Sequence, residues 1–192
     1  MAKNTIKRYI EYLEAAFLIK VVHRIDRSAR RFQRATFFKV YLTNPSMRAA
    51  LFSPIGPSDE AMGDLAETGI FSQWFHTENV SLHYARWKDG EVDVVNVAAD
   101  MKPSWAVEVK WTDKPFHNPG TLRSLIEFCH ANRLKKVMVT SKTESGTKNV
   151  AGIEMTFVPA ALYCYTVGRN LIMNPRKMRR LLGVPLPAAE AV

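Results

Sequence analysis

The sequence predicts a mixed α/β fold in which a helix, three strands, a second helix and a further strand follow a basic N-terminal segment. Three observations predict it. Apolar residues recur at helical spacing between Ala61 and His76; three runs rich in β-branched and aromatic residues lie between Leu82 and Trp111; and a second helical stripe after Asn118 leads into the short apolar run Lys136 to Thr140. With 192 residues, 47% of them hydrophobic, the chain is long enough to bury a substantial core, and disorder is not expected.

The elements follow in order. Asn4 and Thr5 can cap a helix whose Ile6, Ile10, Leu13 and Phe17 recur at spacings of four, three and four, a pattern expected to face a core. Leu18 to Val22 and Phe37 to Leu42 read as strands on either side of a basic stretch. Ser46 can cap a short helix through Phe52, and Ser53-Pro54-Ile55-Gly56-Pro57-Ser58 is the clearest break in the chain. A boundary is expected there, dividing residues 1–57 from residues 58–192.

Beyond the break, Glu67 shares a helix face with Ile70, Phe71 and Trp74. A buried carboxylate without partners costs several kcal/mol, so Glu67 either has a cation, a metal or a hydrogen-bond network nearby, or sits at the edge of the stripe with its head in water. Leu82 to Trp87 and Glu91 to Val97 are joined by Lys88-Asp89-Gly90, a tight-hairpin signal, and Ser104 to Trp111 forms the third strand. Asn118 offers an N-cap with Pro119 at the first helical position, ahead of the stripe Leu122, Leu125, Ile126 and Cys129. Lys136 to Thr140 and Ile153 to Val158 are strands separated by a polar loop, Ser141 to Asn149, and Pro159 opens a last short helix.

Composition narrows the partners. The formal charge of +9 favours an anionic one such as nucleic acid. Between Lys20 and Lys39 seven basic residues face one acid, a local balance of +6, which makes Arg24, Arg27, Arg30, Arg31, Arg34 and Lys39 candidate phosphate contacts; Arg176, Lys177, Arg179 and Arg180 form a second cluster. A solvated face or an acidic protein partner is the competing explanation for both. Only Cys129 and Cys164 are present, without metal-ligand spacing, so both are expected to be reduced, part-buried thiols. No apolar run approaches the roughly 18 residues a membrane helix needs, and the N-terminus lacks a secretory core, so a cytoplasmic protein without a membrane partner is expected.

The chemistry concentrates in Gly90-Glu91-Val92-Asp93 and Glu108-Val109-Lys110. Asp93 and Glu108 fall on neighbouring strands, and strand alternation sends Glu108 and Lys110 to one side while Val107, Val109 and Trp111 point to the other. A phosphodiester resists attack because its anionic oxygens repel nucleophiles and its leaving group is poor. Magnesium addresses both, and it commonly takes one or two carboxylates with waters and substrate phosphate. Asp93 and Glu108 suit that role with the Val109 carbonyl as a further ligand; Lys110 could orient water and offset transition-state charge; Glu67 could assist from its helix. A Glu-x-Lys pair alone also arises as an ordinary ion pair, but its place after a helix Glu and a hairpin Asp is more specific.

Glu67, Gly90 to Asp93 and Glu108-Val109-Lys110, in that element order, resemble the PD-(D/E)XK restriction-endonuclease-like superfamily. More closely, Tyr9-Ile10-Glu11-Tyr12-Leu13-Glu14, Lys39-Val40-Tyr41-Leu42, the Glu67 helix, Gly90 to Asp93, and Val139-Thr140 with Val158-Pro159-Ala160 resemble the uncharacterised domain that follows the ATPase module in a family of prokaryotic AAA+ ATPases. The resemblance implies a restriction-endonuclease-like core over residues 58–192, a winged-helix-like remnant over residues 1–57, and an ATPase subunit or domain as a possible partner. The chain has no Gly-x-x-x-x-Gly-Lys-Ser/Thr, so it is not itself expected to be the ATPase and looks like a fragment or stand-alone derivative. The leading expectation is a DNA-binding, magnesium- or manganese-dependent phosphodiesterase using Glu67, Asp93, Glu108 and Lys110. The alternative is a catalytically silent module of the same fold that holds DNA or an ATPase partner.

Overall fold

A computed structural model describes residues 3–30, 37–75, 77 and 80–173. The chain is mixed α/β, and its described residues form an eight-stranded sheet with six α-helices. In chain order the elements are α1 (Lys3–Ala15), β1 (Ile19–Ile25), β2 (Phe38–Leu42), α2 (Ser46–Leu51), α3 (Met62–Trp74), β3 (Leu82–Trp87), β4 (Gly90–Val97) and β5 (Pro103–Glu108). They continue with α4 (Lys114–His117), a 3-10 turn (Pro119–Thr121), α5 (Arg123–Asn132), β6 (Lys136–Ser141), β7 (Gly146–Val150), β8 (Ile153–Pro159) and α6 (Ala160–Met173). None of the described helices is long and apolar enough to cross a membrane.

The strands lie in the order β2-β1-β3-β4-β5-β6-β8-β7. The β3–β4 and β4–β5 pairs are antiparallel, while β1 meets β3, β5 meets β6 and β6 meets β8 in parallel. Each parallel step requires a crossover: α2 and α3 lie between β2 and β3 in the chain, and α4 and α5 lie between β5 and β6. One core forms around α5, where Leu125, Phe128 and Cys129 meet Val92, Val95, Ala106, Val137 and Val139. A second forms around α3 and α6, where Ile70, Phe71, Trp74, Tyr163 and Val167 meet Val22, Tyr41, Val94 and Val107. Alternation along β5 divides Ala106 from Val107 between the two cores and so separates the faces of the sheet.

Residues on both sides of the expected 57/58 boundary share this framework. β1 and β2 join the same sheet, and Val22 and Tyr41 pack in the second core with Ile70 and Phe71. Tyr41 stacks on Phe71 at a centroid distance of 4.2 Å.

Several local expectations change. Most of the stripe of α1 does not face a core: Ile6, Leu13 and Phe17 are exposed and Ile10 is half-buried, because β1 and β2 already fill their buried side from α3. After β5 the chain makes α4 and the 3-10 turn before α5 begins at Arg123, so Pro119 opens the turn rather than the helix. The polar stretch expected as a loop contains β7, an edge strand paired antiparallel with β8; no apolar alternation announces it because Thr147 and Asn149 face solvent. The hairpin between β3 and β4 closes as expected, and its Gly90 is required by space: a Cβ there would lie 2.3 Å from Trp87 Cζ2.

Candidate active site

Two irregularities in the sheet build the site. Between Val92 and Val95, β4 runs one residue longer than the opposing stretch of β3, where Ala85 pairs with Val92 and His83 with Val95. Such a bulge re-aims the side chains within it, and Asp93 is one of them. On the other side of β4, registered pairing with β5 begins at Val94–Val107, and beyond that pair Asp93 Oδ2 accepts the Val109 backbone N–H at 2.8 Å. The carboxylate is thus held in the fork where β4 and β5 diverge.

Lys110 completes this group. Its ammonium donates to Glu108 Oε1 at 2.7 Å and to the Val109 carbonyl at 3.1 Å, and lies 3.5 Å from Asp93 Oδ2. The Lys110 backbone is fixed by the buried Thr140 of β6, whose hydroxyl accepts the Lys110 N–H at 2.8 Å and donates to the Lys110 carbonyl at 3.0 Å. Glu108 is buried, and among the described residues its Oε2 has no hydrogen-bond partner. Burial, then the nearby charge of Asp93, pushes the Glu108 carboxyl up to about 8 against the opposing pull of Lys110.

A second group sits beside the first. Glu67 projects from α3 and accepts hydrogen bonds from the Tyr41 hydroxyl and from Lys39 Nζ, the latter at 2.9 Å. Lys39 also pairs with Glu91 at 2.6 Å, and Glu91 with Arg86 at 3.3 Å. Burial raises the Glu67 carboxyl above its ordinary range, and the Asp93 charge adds to the rise, while Lys39 and Tyr41 oppose it. Burial alone would lower the Lys39 ammonium, but its two carboxylate partners more than reverse this and hold it charged.

Asp93, Glu108, the Val109 carbonyl and Lys110 therefore converge within hydrogen-bonding distances. Glu67 is linked to them through the Asp93 field and bonds directly to Lys39 and Tyr41. Its apolar helix face carries a carboxylate because a cation and a phenol are brought to it from β2. Among the candidate phosphate contacts, Lys39 is engaged by Glu67 and Glu91 inside the site, so its ammonium faces carboxylates and not open surface. Arg24 lies over the Phe37 ring at 4.3 Å, and Arg27 and Arg30 are exposed beside the Asp26 turn. Arg31, Arg34 and the cluster Arg176, Lys177, Arg179 and Arg180 lie outside the described residues.

Sequence reasoning missed the roles of Tyr41, Glu91 and Thr140. The signal for Lys39 and Tyr41 was present, since two polar groups at i and i+2 of an otherwise apolar strand share one face. Thr140 gave none, being one hydroxyl in a buried strand. Both cysteines are free thiols; burial, with the Glu108 charge behind it, pushes Cys129 up to about 12, which makes it a poor nucleophile.

Among the described residues no three His, Cys, Asp or Glu side chains cluster to hold a metal. A divalent ion at this site would have two carboxylates, one backbone carbonyl and solvent. That all-oxygen set fits magnesium or manganese better than zinc, and the unpartnered Glu108 Oε2 is a buried acceptor for which a cation is a fitting partner.

A family model described as a domain of unknown function (DUF8612) matches residues 1–59. That stretch carries Lys39 and Tyr41 and ends before Glu67, Asp93 and Glu108. No curated protein and no solved structure matches the chain.

Proposed function

We propose that the protein is a nucleic-acid-binding phosphodiesterase with a restriction-endonuclease-like core, dependent on magnesium or manganese, and that its substrate is DNA. One observation carries this reading above the others. The Lys110 ammonium lies among Glu108 Oε1, the Val109 carbonyl and Asp93 Oδ2, where an oxygen-ligated cation would also sit, while Glu108 Oε2 has no partner among the described residues. When bound, the metal neutralises phosphate charge and makes a coordinated water more acidic.

The chain's own residues do the rest. Asp93 and Glu108 offer anionic oxygens, and the Val109 carbonyl, whose residue is anchored through its N–H to Asp93, offers a third. Lys110 sits beside all three on a backbone clamped by Thr140, and can turn its ammonium toward a phosphate oxygen or an entering water. Lys39 and Tyr41 keep Glu67 oriented next to Asp93. The net charge of +9 and the exposed Arg27 and Arg30 support a polyanionic substrate. The resemblance of residues Tyr9 to Glu14 and Lys39 to Leu42 to a domain attached to AAA+ ATPases supports an ATPase subunit or domain as a partner.

The silent-module reading rests on the same ammonium: a site whose carboxylates are permanently neutralised by Lys110 would bind DNA without cutting it. A plasmid-nicking assay with magnesium or manganese separates the two. The phosphodiesterase reading expects cleavage that disappears in Asp93→Ala with DNA binding retained. No cleavage of single- or double-stranded DNA by the folded wild type overturns it.

A further inference from the structure

We propose that the cleft between the start of α3 and the turn after β5 holds an unpaired nucleobase next to the phosphate at Asp93, Glu108 and Lys110, so that the substrate is single-stranded DNA or a single-stranded segment of a larger DNA. The inference rests on the nucleic-acid part of the reading above, not on cleavage. The cleft has a volume of about 490 Å³, and its walls include Pro57, Asp59, Glu60, Gly63, Trp111 and Lys142. It adjoins the candidate site along three segments. Trp111 directly follows Lys110, Gly63 stands on α3 one turn before Glu67, and Lys142 lies two residues beyond Thr140, whose hydroxyl clamps the Lys110 backbone. A strand whose phosphate lies at the carboxylates therefore brings a neighbouring nucleotide to this cleft.

Two of the walls are tied in place by the protein itself. The half-buried Trp111 donates its Nε1–H to the Pro57 carbonyl at 3.0 Å, which engages the ring's one polar atom and leaves apolar indole surface to the cleft. Asp113, two residues on, pins the segment that carries Lys142: its Oδ1 accepts the N–H groups of Lys142, Thr143 and Glu144 at 3.0, 2.9 and 3.1 Å, and its Oδ2 accepts the Thr143 hydroxyl at 2.7 Å. A fixed aromatic ring suits an unpaired base, because every base has a π-face and a base inside a duplex has both of its faces covered by its neighbours. Charge decides which part of the nucleotide enters. Asp59, whose Oδ1 accepts the Ala61 N–H at 2.8 Å, and Glu60 set two carboxylates against the single ammonium of Lys142. That balance disfavours a phosphate, whereas carboxylates accept hydrogen bonds from the N–H groups of a base.

Fluorescence anisotropy of a labelled single strand of about 12 nucleotides, and of the same sequence as a duplex, tests this in the presence of EDTA, so that binding is read without metal-dependent cleavage. Trp111→Leu should weaken single-strand binding about tenfold and change duplex binding less than about twofold, and Trp111→Phe, which keeps a ring but loses the bond to Pro57, should retain most of the affinity. Gly63→Gln is the second variant: a Cβ at Gly63 meets no atom within 4 Å, so the longer side chain fills the cleft without disturbing the fold, and it should also cost about tenfold in single-strand binding with thermal stability kept. Single-strand affinity unchanged in Trp111→Leu and Gly63→Gln overturns the proposal, as do equal losses for single strand and duplex. A wild type that binds no oligonucleotide overturns it together with the DNA reading. Uncut plasmid with magnesium or manganese, alongside the selective single-strand losses, overturns the phosphodiesterase alone and supports the base site.

Discussion

Lys110 Nζ lies 2.7 Å from Glu108 Oε1, while the other oxygen of the same carboxylate is buried without a partner among the described residues. The pair is therefore half satisfied: one oxygen is neutralised by an ammonium, and one is short of a donor or a cation. Half-satisfied buried groups are costly to keep.

The first consequence is a pH dependence of stability. The Glu108 carboxyl rises from an ordinary 4.5 to about 8 on folding, so the folded chain holds a proton that the unfolded chain releases. The associated stability is fully present below pH 4.5 and is lost as pH rises through about 8. Glu67, raised as well, acts in the same direction. Urea unfolding at successive pH values should show stability falling over this window by on the order of a few kcal/mol, and Glu108→Gln should flatten most of the slope. A slope unchanged in Glu108→Gln would remove Glu108 as its source.

Lys39 and Tyr41 should matter for stability in proportion to the charge they leave behind. Lys39→Met removes the cation that Glu67 and Glu91 share, leaving Tyr41 and Arg86 as partners, and should destabilise by about 3 kcal/mol, whereas Tyr41→Phe removes one donor to a carboxylate and should remove about 2 kcal/mol. A double-mutant cycle of Lys39→Met with Glu67→Gln should return a coupling of about 1 kcal/mol or more, because Gln no longer needs the cation. Additive effects would mean that the ion pair is only a surface contact.

How much of this was legible in the sequence depended on whether a residue's partners are local. Glu67, Asp93, Glu108 and Lys110 stood out because each breaks the apolar pattern of its own helix or strand, and the hairpin was readable because Asp89-Gly90 is a local turn signal. The outward turn of α1 was not readable: its period is that of a core helix, and only the tertiary placement of β1 and β2 decides that the core is already filled. Lys39 looked like a phosphate contact for a similar reason, since it ends a basic run in the chain while its two carboxylates come from α3 and β4. β7 escaped because an edge strand needs no apolar face.

Thr140→Val should test the clamp on Lys110. It preserves shape but removes a hydroxyl that both accepts from and donates to the Lys110 backbone, leaving two part-buried backbone groups without that partner, and should destabilise by about 1–2 kcal/mol in urea titration. Thr140→Ser should retain most of the wild-type stability. Equal losses in both variants would make methyl packing, not the hydroxyl, the relevant contribution.

Gly90→Ala should destabilise the β3–β4 hairpin by about 1–3 kcal/mol, since the new Cβ would meet the Trp87 ring and Ser124 Oγ at contacts of 2.3 Å and 2.8 Å. Trp87 stacks near Phe128 in the α5 core, so the effect should appear in tryptophan emission together with global unfolding. A thermally neutral variant would mean that the Trp87 ring has room to move aside.

Asp93, Glu108 and the Val109 carbonyl are proposed to form a divalent-cation site beside Lys110. Titration with manganese at a pH above 8, read by electron paramagnetic resonance of the free ion, tests it most directly. One bound ion per chain is expected in the wild type, lost in a folded Asp93→Asn variant and weakened as the pH falls below about 8, where Glu108 takes up its proton. No bound manganese in the wild type, or binding that Asp93→Asn leaves unchanged, would contradict it.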